Sequence, residues 1–164
     1  METGQRVLVV DDETSIRRYL RAALTAQGLN VYEAADGQEA LNAVLAHRPD
    51  LIILDLGLPD IDGIEVTRRL REWSQTPIII LSVREAEQDK IAALDAGADD
   101  YLTKPFGTGE LLARMRVALR KQATSPNEPI FQTGNLKVDF SRRLVTVDET
   151  EVQLTPTEYD LLKV

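Results

Sequence analysis

The chain has 164 residues, 43% of them hydrophobic, carries a formal net charge of −8 and contains no cysteine. This length suits one compact domain or one domain with part of a second, and the acidic balance gives no indication of binding to nucleic acid or to an anionic membrane. The lack of cysteine excludes disulfides, thiolate metal sites and cysteine nucleophiles. Because the N-terminal residues lack a signal-peptide core and the apolar runs are short, we expect a cytoplasmic protein without a membrane partner.

Short β-rich runs alternate with amphipathic segments along most of the chain. The runs predicted to be strands cover residues 7–10, 30–33, 51–54, 77–81 and 100–102. Three of these runs are apolar throughout, as expected for parallel strands that are covered on both faces. The pattern therefore predicts a parallel sheet with helices packed on both of its sides.

Five helices are predicted between and after these strands. The first ends at Gly28, the second ends before Pro49, and the others span about residues 63–73, 87–96 and 108–122. Their apolar stripes carry Ile16, Tyr19, Leu20, Ala23, Leu24, Ala40, Leu41, Val44, Leu45, Ile64, Leu70, Ile91, Leu94, Leu111, Leu112, Met115 and Leu119. A strand–helix unit repeated five times is an α/β fold, so we expect a doubly wound five-stranded parallel sheet of flavodoxin-like order 2-1-3-4-5.

The composition of the sequence changes after Gln122. Residues 123–129 are small, polar and proline-containing, and they are predicted to form a linker. Residues 130–164 show short strand-like runs, followed at 155–158 by a pattern typical of a helix start. We expect a complete domain over residues 1–122 and, after the linker, an incomplete second domain that begins with a small antiparallel sheet.

Polar side chains follow the predicted strands at the edge where doubly wound sheets bind their ligands. The residues at this edge are Asp11 and Asp12 after the first strand, Asp55 after the third, Ser82 after the fourth and Lys104 after the fifth. Each of them alone has an ordinary explanation, such as helix capping by the acidic pair or a turn at Asp55. Because all five fall on one edge of one sheet, we expect a functional site there.

The carboxylates at this edge favour a divalent metal site. Carboxylate and carbonyl oxygens are the ligands that Mg²⁺ prefers in proteins. We expect Asp12 and Asp55 to bind the ion directly and Asp11 to bind it partly through water. The backbone carbonyl of Gly57 is a further candidate ligand.

Phosphoryl transfer is the chemistry that this combination of residues favours. Beside the metal, the Asp55 carboxylate is a candidate nucleophile that forms an acyl phosphate. Lys104 would place a positive charge at the phosphoryl oxygens, and Ser82 would donate a hydrogen bond to one of them. The peptide bond between Lys104 and Pro105 is expected to be cis, which would direct the lysine toward the site.

The motifs that contain these residues resemble the receiver domain of two-component response regulators over about residues 5–121. The matching motifs lie at residues 9–13, 54–63, 81–82 and 97–106. The resemblance implies phosphotransfer from a sensor histidine kinase to Asp55, with Mg²⁺ held near Asp11 and Asp12. It also implies a switch in which Ser82 moves toward the phosphate and Tyr101 turns inward behind it.

The residues after the predicted linker resemble the N-terminal sheet and the first helix of the winged-helix domain of the OmpR/PhoB group of DNA-binding regulators. The recognition helix of such a domain would lie beyond Val164, so we expect promoter DNA to be a partner of a full-length parent only. Stretches similar to the Kdp group of potassium-transport regulators cover residues 54–60, 71–74, 90–100 and 106–111. This second similarity implies transcriptional control of a potassium-uptake operon.

In the OmpR/PhoB group, activated receivers form homodimers through the fourth helix, the fifth strand and the fifth helix. The candidate interface residues on these elements are Lys90, Asp99, Asp100, Glu110, Arg114 and Lys121. By resemblance, Lys90 would meet Glu110 of the second copy. In the same way Asp100 would meet Arg114. The alternative is a solvated surface whose charges pair within one chain.

Some residues beside the site bear on how long a phosphoryl group would survive there. Val83 follows Ser82 where the receiver pattern usually has alanine or glycine. Gly57 and Arg84 each lie two residues beyond a site residue. We therefore expect an unusual phosphate lifetime, and the sequence does not set its direction.

Two other classes of protein share part of this pattern. A phosphohydrolase of the haloacid-dehalogenase type would use an aspartate, Mg²⁺ and a lysine, but its nucleophile lies in an Asp-x-Asp arrangement, whereas Asp11 and Asp12 are adjacent here. A flavodoxin-like cofactor binder would need a first loop rich in serine and threonine, and this loop is acidic. We therefore expect no enzyme but a phosphoacceptor that catalyses only its own phosphotransfer and dephosphorylation, without any cofactor other than Mg²⁺.

Overall fold

The computed structural model describes residues 1–123, with side chains described as far as Arg120. Five strands and five helices alternate along this part of the chain. They are β1 Arg6–Val10, α1 Thr14–Thr25, β2 Asn30–Ala34, α2 Gly37–His47, β3 Leu51–Leu54, α3 Gly63–Arg71, β4 Ile78–Ser82, α4 Glu87–Ala96, β5 Asp100–Thr103 and α5 Thr108–Ala123. Each predicted strand and helix is present, with boundaries that differ by a few residues at most.

The five strands form one parallel sheet of order β2-β1-β3-β4-β5, as predicted. The register sets Val10 opposite Leu54 and Leu54 opposite Ile80. Ser82 is paired with Thr103 at the end of the sheet. Because all strands run in the same direction, their carboxyl ends meet at one edge, and the residues that follow them are brought together there.

Helices cover both faces of the sheet. Within β1, Val7 and Val9 point to one face, and Leu8 and Val10 point to the other. The side chains that α1 and α5 bury on the first face include Leu20, Leu24, Leu111, Met115 and Leu119. Those that α2, α3 and α4 bury on the second face include Ala40, Val44, Val66, Leu70 and Ala93. The result is a three-layer α/β/α arrangement whose strands are buried on both sides.

Four residues of the predicted apolar stripes are exposed instead of buried. Their exposed fractions are 49% for Tyr19, 62% for Leu45, 50% for Ile91 and 45% for Leu94. The helix α4 packs against α3 and against the edge strand β5, and the small residue Ala93 makes its buried contact. Because no further strand lies beyond β5 in the sheet of the described residues, one side of the apolar stripe of α4 has no neighbour to cover it.

The predictions for the C-terminal part fall outside the described residues. These predictions are the linker at 123–129 and the incomplete second domain at 130–164. Ala123, predicted as the first linker residue, is the last residue of α5. None of the helices among residues 1–123 combines the length and the hydrophobicity that a membrane span requires.

Candidate functional site

Three carboxylates meet at the carboxyl edge of the sheet. Asp11, Asp12 and Asp55 each bring one oxygen to within 4.8 Å of the oxygens of the other two. Asp11 and Asp55 are buried, whereas Asp12 is exposed. The backbone N–H of Asp55 donates to the carbonyl of Val10 at 2.9 Å, which fixes the end of β3 beside the end of β1. The predicted acidic group is therefore assembled by strand pairing.

Lys104 reaches into this acidic group from the loop after β5. Its Nζ lies 2.8 Å from Oδ2 of Asp11 and 3.9 Å from Oδ2 of Asp55. The backbone N–H of Lys104 donates to the carbonyl of Ser82 at 2.8 Å, and the Lys104–Pro105 peptide is cis, as predicted. Burial by itself would lower the pKa of Lys104, but the hydrogen bond and the charge of Asp11 outweigh it, so the pKa is raised.

Asp55 is an ionisable group held in a poorly solvated position. Burial raises the pKa of its carboxyl group, and the charge of Asp11 acts in the same direction. The charge of Lys104 opposes this shift, as do hydrogen bonds from the backbone N–H groups of Leu56 and Gly57. A cation bound next to Asp55 would therefore stabilise the carboxylate that burial disfavours.

The loop after β3 approaches the site closely because Gly63 has no side chain. A Cβ atom at Gly63 would lie 2.6 Å from the carbonyl oxygen of Asp55 and 2.7 Å from Cα of Leu56. The N–H of Gly63 donates to the carbonyl of Leu56 at 2.8 Å, and the Asp62 carboxylate caps α3 by accepting the N–H of Ile64 at 3.0 Å. This close contact of Gly63 was not predicted from the sequence. The Asp-Gly pair at the predicted start of the third helix would have indicated it.

The same loop is tied to α2 by the carboxylate of Asp60. Its two oxygens accept the backbone N–H groups of Gly37 at 2.7 Å and Gln38 at 3.0 Å. The hydrogen bond from Gly37 is the main reason why the pKa of Asp60 is lowered. This carboxylate stabilises the start of α2, a function that the sequence did not indicate.

Ser82 and Tyr101, the two residues predicted to form a switch, are connected both by a side-chain hydrogen bond and through one loop residue, Arg84. Ser82 is buried, and its Oγ accepts the backbone N–H of Arg84 at 3.2 Å. The Tyr101 hydroxyl donates to the backbone carbonyl of Arg84 at 2.8 Å. Burial raises the pKa of Tyr101, and Nζ of Lys90 lies 5.9 Å from the centre of its ring.

The predicted interface residues on α4, β5 and α5 form contacts within the chain. The Arg114 guanidinium lies 2.9 Å from the carboxylate of Asp100 and 3.0 Å from that of Glu110. Oδ2 of Asp99 accepts the N–H of Ile78 at 2.8 Å. The side chain of Lys121 lies outside the described residues. The dimer therefore stays a prediction. The charged groups that pair within one chain here would be able to pair with the same groups of a second copy instead.

The fold and the site together define a class of protein. A five-stranded parallel sheet of order 2-1-3-4-5 carries acidic residues after its first and third strands and a lysine after its fifth. Residues 7–116 match the family described as the response regulator receiver domain, and the chain belongs to that family. It is the receiver domain of a two-component response regulator, and its relatives give no support to the haloacid-dehalogenase alternative.

The relatives of this chain include a transcriptional regulatory protein and other response regulators. The KDP operon transcriptional regulatory protein KdpE of Escherichia coli K12 is 56% identical over 159 residues, which cover 96% of this chain and 71% of the relative. The response regulator ArlR of Staphylococcus aureus Mu50 is 46% identical over 157 residues, which cover 96% of this chain and 70% of the relative. The Francisella response regulator 1452 receiver domain superimposes with a TM-score of 0.69 at 36% identity, covering 73% of this chain and 99% of that structure.

Proposed function

We propose that Asp55 accepts a phosphoryl group from a sensor histidine kinase in a reaction that depends on Mg²⁺. Members of this family are phosphorylated by such kinases. The observation that carries the proposal is the position of Asp55 beside Lys104 and within the acidic group, where its carboxylate oxygen lies 3.9 Å from an ammonium nitrogen. In this position, the Lys104 ammonium would stabilise the negative charge of the phosphoryl group as it is transferred to Asp55.

The donor atoms fit a divalent cation that prefers oxygen ligands. Asp12 and Asp55 would hold Mg²⁺ directly, and the carbonyl of Gly57 is the proposed further ligand. Both oxygens of Asp11 already accept hydrogen bonds, from the N–H of Glu13 at 2.9 Å and from Lys104 at 2.8 Å, which supports a contribution through water. When bound, Mg²⁺ supplies positive charge that neutralises the carboxylates and the incoming phosphoryl oxygens.

The protein groups have separate tasks in the transfer. A carboxylate oxygen of Asp55 forms the new O–P bond while the P–N bond to the kinase imidazole breaks and its electron pair returns to the ring nitrogen. Lys104 keeps its proton because its pKa is raised, so its positive charge is available to a phosphoryl oxygen. The Ser82 hydroxyl, at the end of β4, would donate a hydrogen bond to a second oxygen.

We propose that phosphorylation drives dimerisation through α4, β5 and α5, and thereby controls transcription. The exposed apolar residues Ile91 and Leu94 support an interface on this surface. Dimerisation would exchange the internal pair between Arg114 and Asp100 for the same pair between two copies. The similarity to KdpE supports control of a potassium-uptake operon through promoter DNA.

Intact-mass measurement after incubation with Mg²⁺ and phosphoramidate tests the phosphoacceptor. The wild-type chain should gain one phosphoryl group, and the gain should disappear when EDTA removes the metal. Asp55→Asn should gain none, because the amide is not a nucleophile of this kind. The matched control is Asp95→Asn, which changes an aspartate of α4 outside the acidic group and should leave the adduct intact. An equal adduct on Asp55→Asn would assign the phosphoryl group to another residue.

A further inference from the structure

Arg84 connects the site to the output surface through both its backbone and its side chain. Its backbone N–H donates to Oγ of Ser82 at 3.2 Å, and its carbonyl accepts the Tyr101 hydroxyl at 2.8 Å. Its guanidinium lies 2.6 Å from Oδ1 of Asp62. One residue of the loop between β4 and α4 is thus bound to three different parts of the fold, of which only two carry the predicted switch residues.

The ion pair with Arg84 reaches the site because of where Asp62 lies. Asp62 caps α3 and directly precedes Gly63, the residue that lies against the carbonyl of Asp55. The strands β3 and β4 are neighbours in the sheet, so the loops that follow them lie side by side at its carboxyl edge. The ion pair between Asp62 and Arg84 therefore joins the loop that begins at Asp55 to the loop that follows Ser82.

We propose that this ion pair is a brace that positions the Tyr101 hydroxyl, so that Arg84 is a positioning residue of the switch. With Asp62 bound, the Arg84 side chain holds the loop in the place where its carbonyl meets Tyr101. Without it, the loop loses this side-chain connection to the start of α3, and the Arg84 carbonyl is no longer held in place for the Tyr101 hydroxyl. The part of the inference that concerns signalling rests on the proposed phosphorylation of Asp55, whereas the positioning of Tyr101 does not.

The ion pair between Asp62 and Arg84 is weak, as expected for a contact that breaks when the switch changes its state. The side chains of Arg84 and Asp62 are 33% and 43% exposed, and ion pairs at such exposure are weak and are screened by salt. The two oxygens of Asp62 have separate partners, because Oδ1 binds Arg84 and Oδ2 caps α3. Asparagine at this position keeps a capping oxygen and removes the charge, so Asp62→Asn tests the brace without removing the helix cap.

Fluorine NMR of the unphosphorylated chain, labelled with a fluorinated tyrosine, tests the positioning. The Tyr101→Phe variant identifies the Tyr101 signal by its loss. Arg84→Gln and Asp62→Asn should each move that signal toward the position of a solvent-exposed tyrosine, and the double variant should move it no further than either single variant. The matched control is Arg69→Gln, which breaks an exposed ion pair with Glu65 on α3 and should leave the signal in place.

The outcomes separate the brace from a general effect of charge. An unchanged Tyr101 signal in both Arg84→Gln and Asp62→Asn would overturn the proposal. Additive shifts in the double variant would do the same, because they would mean that the two residues act independently. A signal that moves toward the exposed position with added salt in the wild type, and stays still in Arg84→Gln, would support an ion pair as the cause.

Phosphorylation kinetics extend the test to the switch. Loss of the brace should change the rate of phosphorylation by phosphoramidate about two- to five-fold in both single variants, the range expected from one exposed ion pair. Arg84→Lys, which keeps the charge, should recover part of this change. Equal rates in all variants would overturn the signalling part. Failure of the wild type to take up phosphate would instead overturn the proposed function and leave the fluorine result standing.

Discussion

Glu33 shows how a single surface residue supports the site from outside. Its carboxylate lies 3.1 Å from Nε of Arg17 and also contacts Arg21. Arg17 in turn donates to the backbone carbonyl of Asp11 at 2.6 Å. The strand β2, which carries Glu33, is thereby connected through α1 to the loop that presents the acidic pair.

This cluster predicts an acid-sensitive contribution to stability. The hydrogen bond from Arg21 is the largest cause that lowers the pKa of Glu33 from its ordinary value of 4.5. A lowered pKa means that the folded state favours the charged form, so the stabilisation is present above pH 4.5 and is lost as the pH falls through the folded-state pKa. Because the cluster is partly exposed, its contribution is about 0.5 to 1 kcal/mol.

Glu33→Gln should therefore lower the free energy of unfolding by about 0.5 to 1 kcal/mol near neutral pH. The difference from the wild type should shrink as the pH falls below 4.5, because the wild-type carboxylate then becomes protonated as well. Urea denaturation of both proteins, at neutral pH and below pH 4.5, measures this difference in the free energy of unfolding. Glu2→Gln, a change at an exposed carboxylate near the N-terminus, is the control. A difference that grows on acidification would contradict the prediction.

At the scale of elements, the junction between α3 and α4 depends on the contact of Arg71 with Gly97. The Arg71 guanidinium donates to the carbonyls of Gly97 at 2.9 Å and Thr76 at 2.8 Å, and it pairs with Asp99 at 2.9 Å. Gly97, at the end of α4, has a φ of +121°, and a Cβ atom there would lie 2.5 Å from Cγ of Arg71. A side chain at this position would meet both backbone strain and an immobilised neighbour.

Gly97→Ala should lower the free energy of unfolding by about 1 to 3 kcal/mol. Gly109→Ala is the matched control, because Gly109 lies in the first turn of α5 without a positive φ, and a Cβ atom added there would have no neighbour within 4 Å among the described residues. That control should raise stability by up to about 1 kcal/mol, since alanine favours the helix. Thermal and denaturant unfolding of the two variants measures the contrast. Equal effects would mean that the contact with Arg71 adjusts without cost.

At the scale of the whole molecule, the output surface combines exposed apolar residues with charges that already have partners. Ile91 and Leu94 of α4 are about half exposed, and Val117 of α5 is 47% exposed. Arg114 lies between Asp100 and Glu110 in the same chain. The charged groups of this surface have partners in the monomer. A second copy could bury the exposed apolar side chains and form the same ion pairs across the interface.

Arg114→Ala should weaken dimerisation of the phosphorylated protein about two- to five-fold in the dissociation constant, because the pair with Asp100 is lost within each free copy as well as between copies, and only the difference between the two affects dimerisation. Sedimentation of phosphoramidate-treated samples measures this. Arg68→Ala is the control, because Arg68 is exposed on α3 and pairs with Glu65. If the two variants dimerise equally well, the charges of α5 do not contribute to the interface.

The order of the elements and the edge of the sheet that carries the site follow from local patterns in the sequence. Apolar runs and helical periodicity are local properties, and parallel strand order places every carboxyl end on one edge, so Asp11, Asp55 and Lys104 were predictable as neighbours. The predicted cis peptide before Pro105 was likewise a local property, and it is confirmed.

The contacts between residues that are distant in the sequence depend on the packing of the whole fold. The pairing of Asp62 with Arg84 and the hydrogen bond from the Gly37 N–H to Asp60 depend on distances between loops that no local pattern encodes. The exposure of Ile91 and Leu94 follows from the position of α4 beside an edge strand. Periodicity marks the apolar side of a helix, but how much of that side is buried depends on what packs against it, and that is a property of the whole fold.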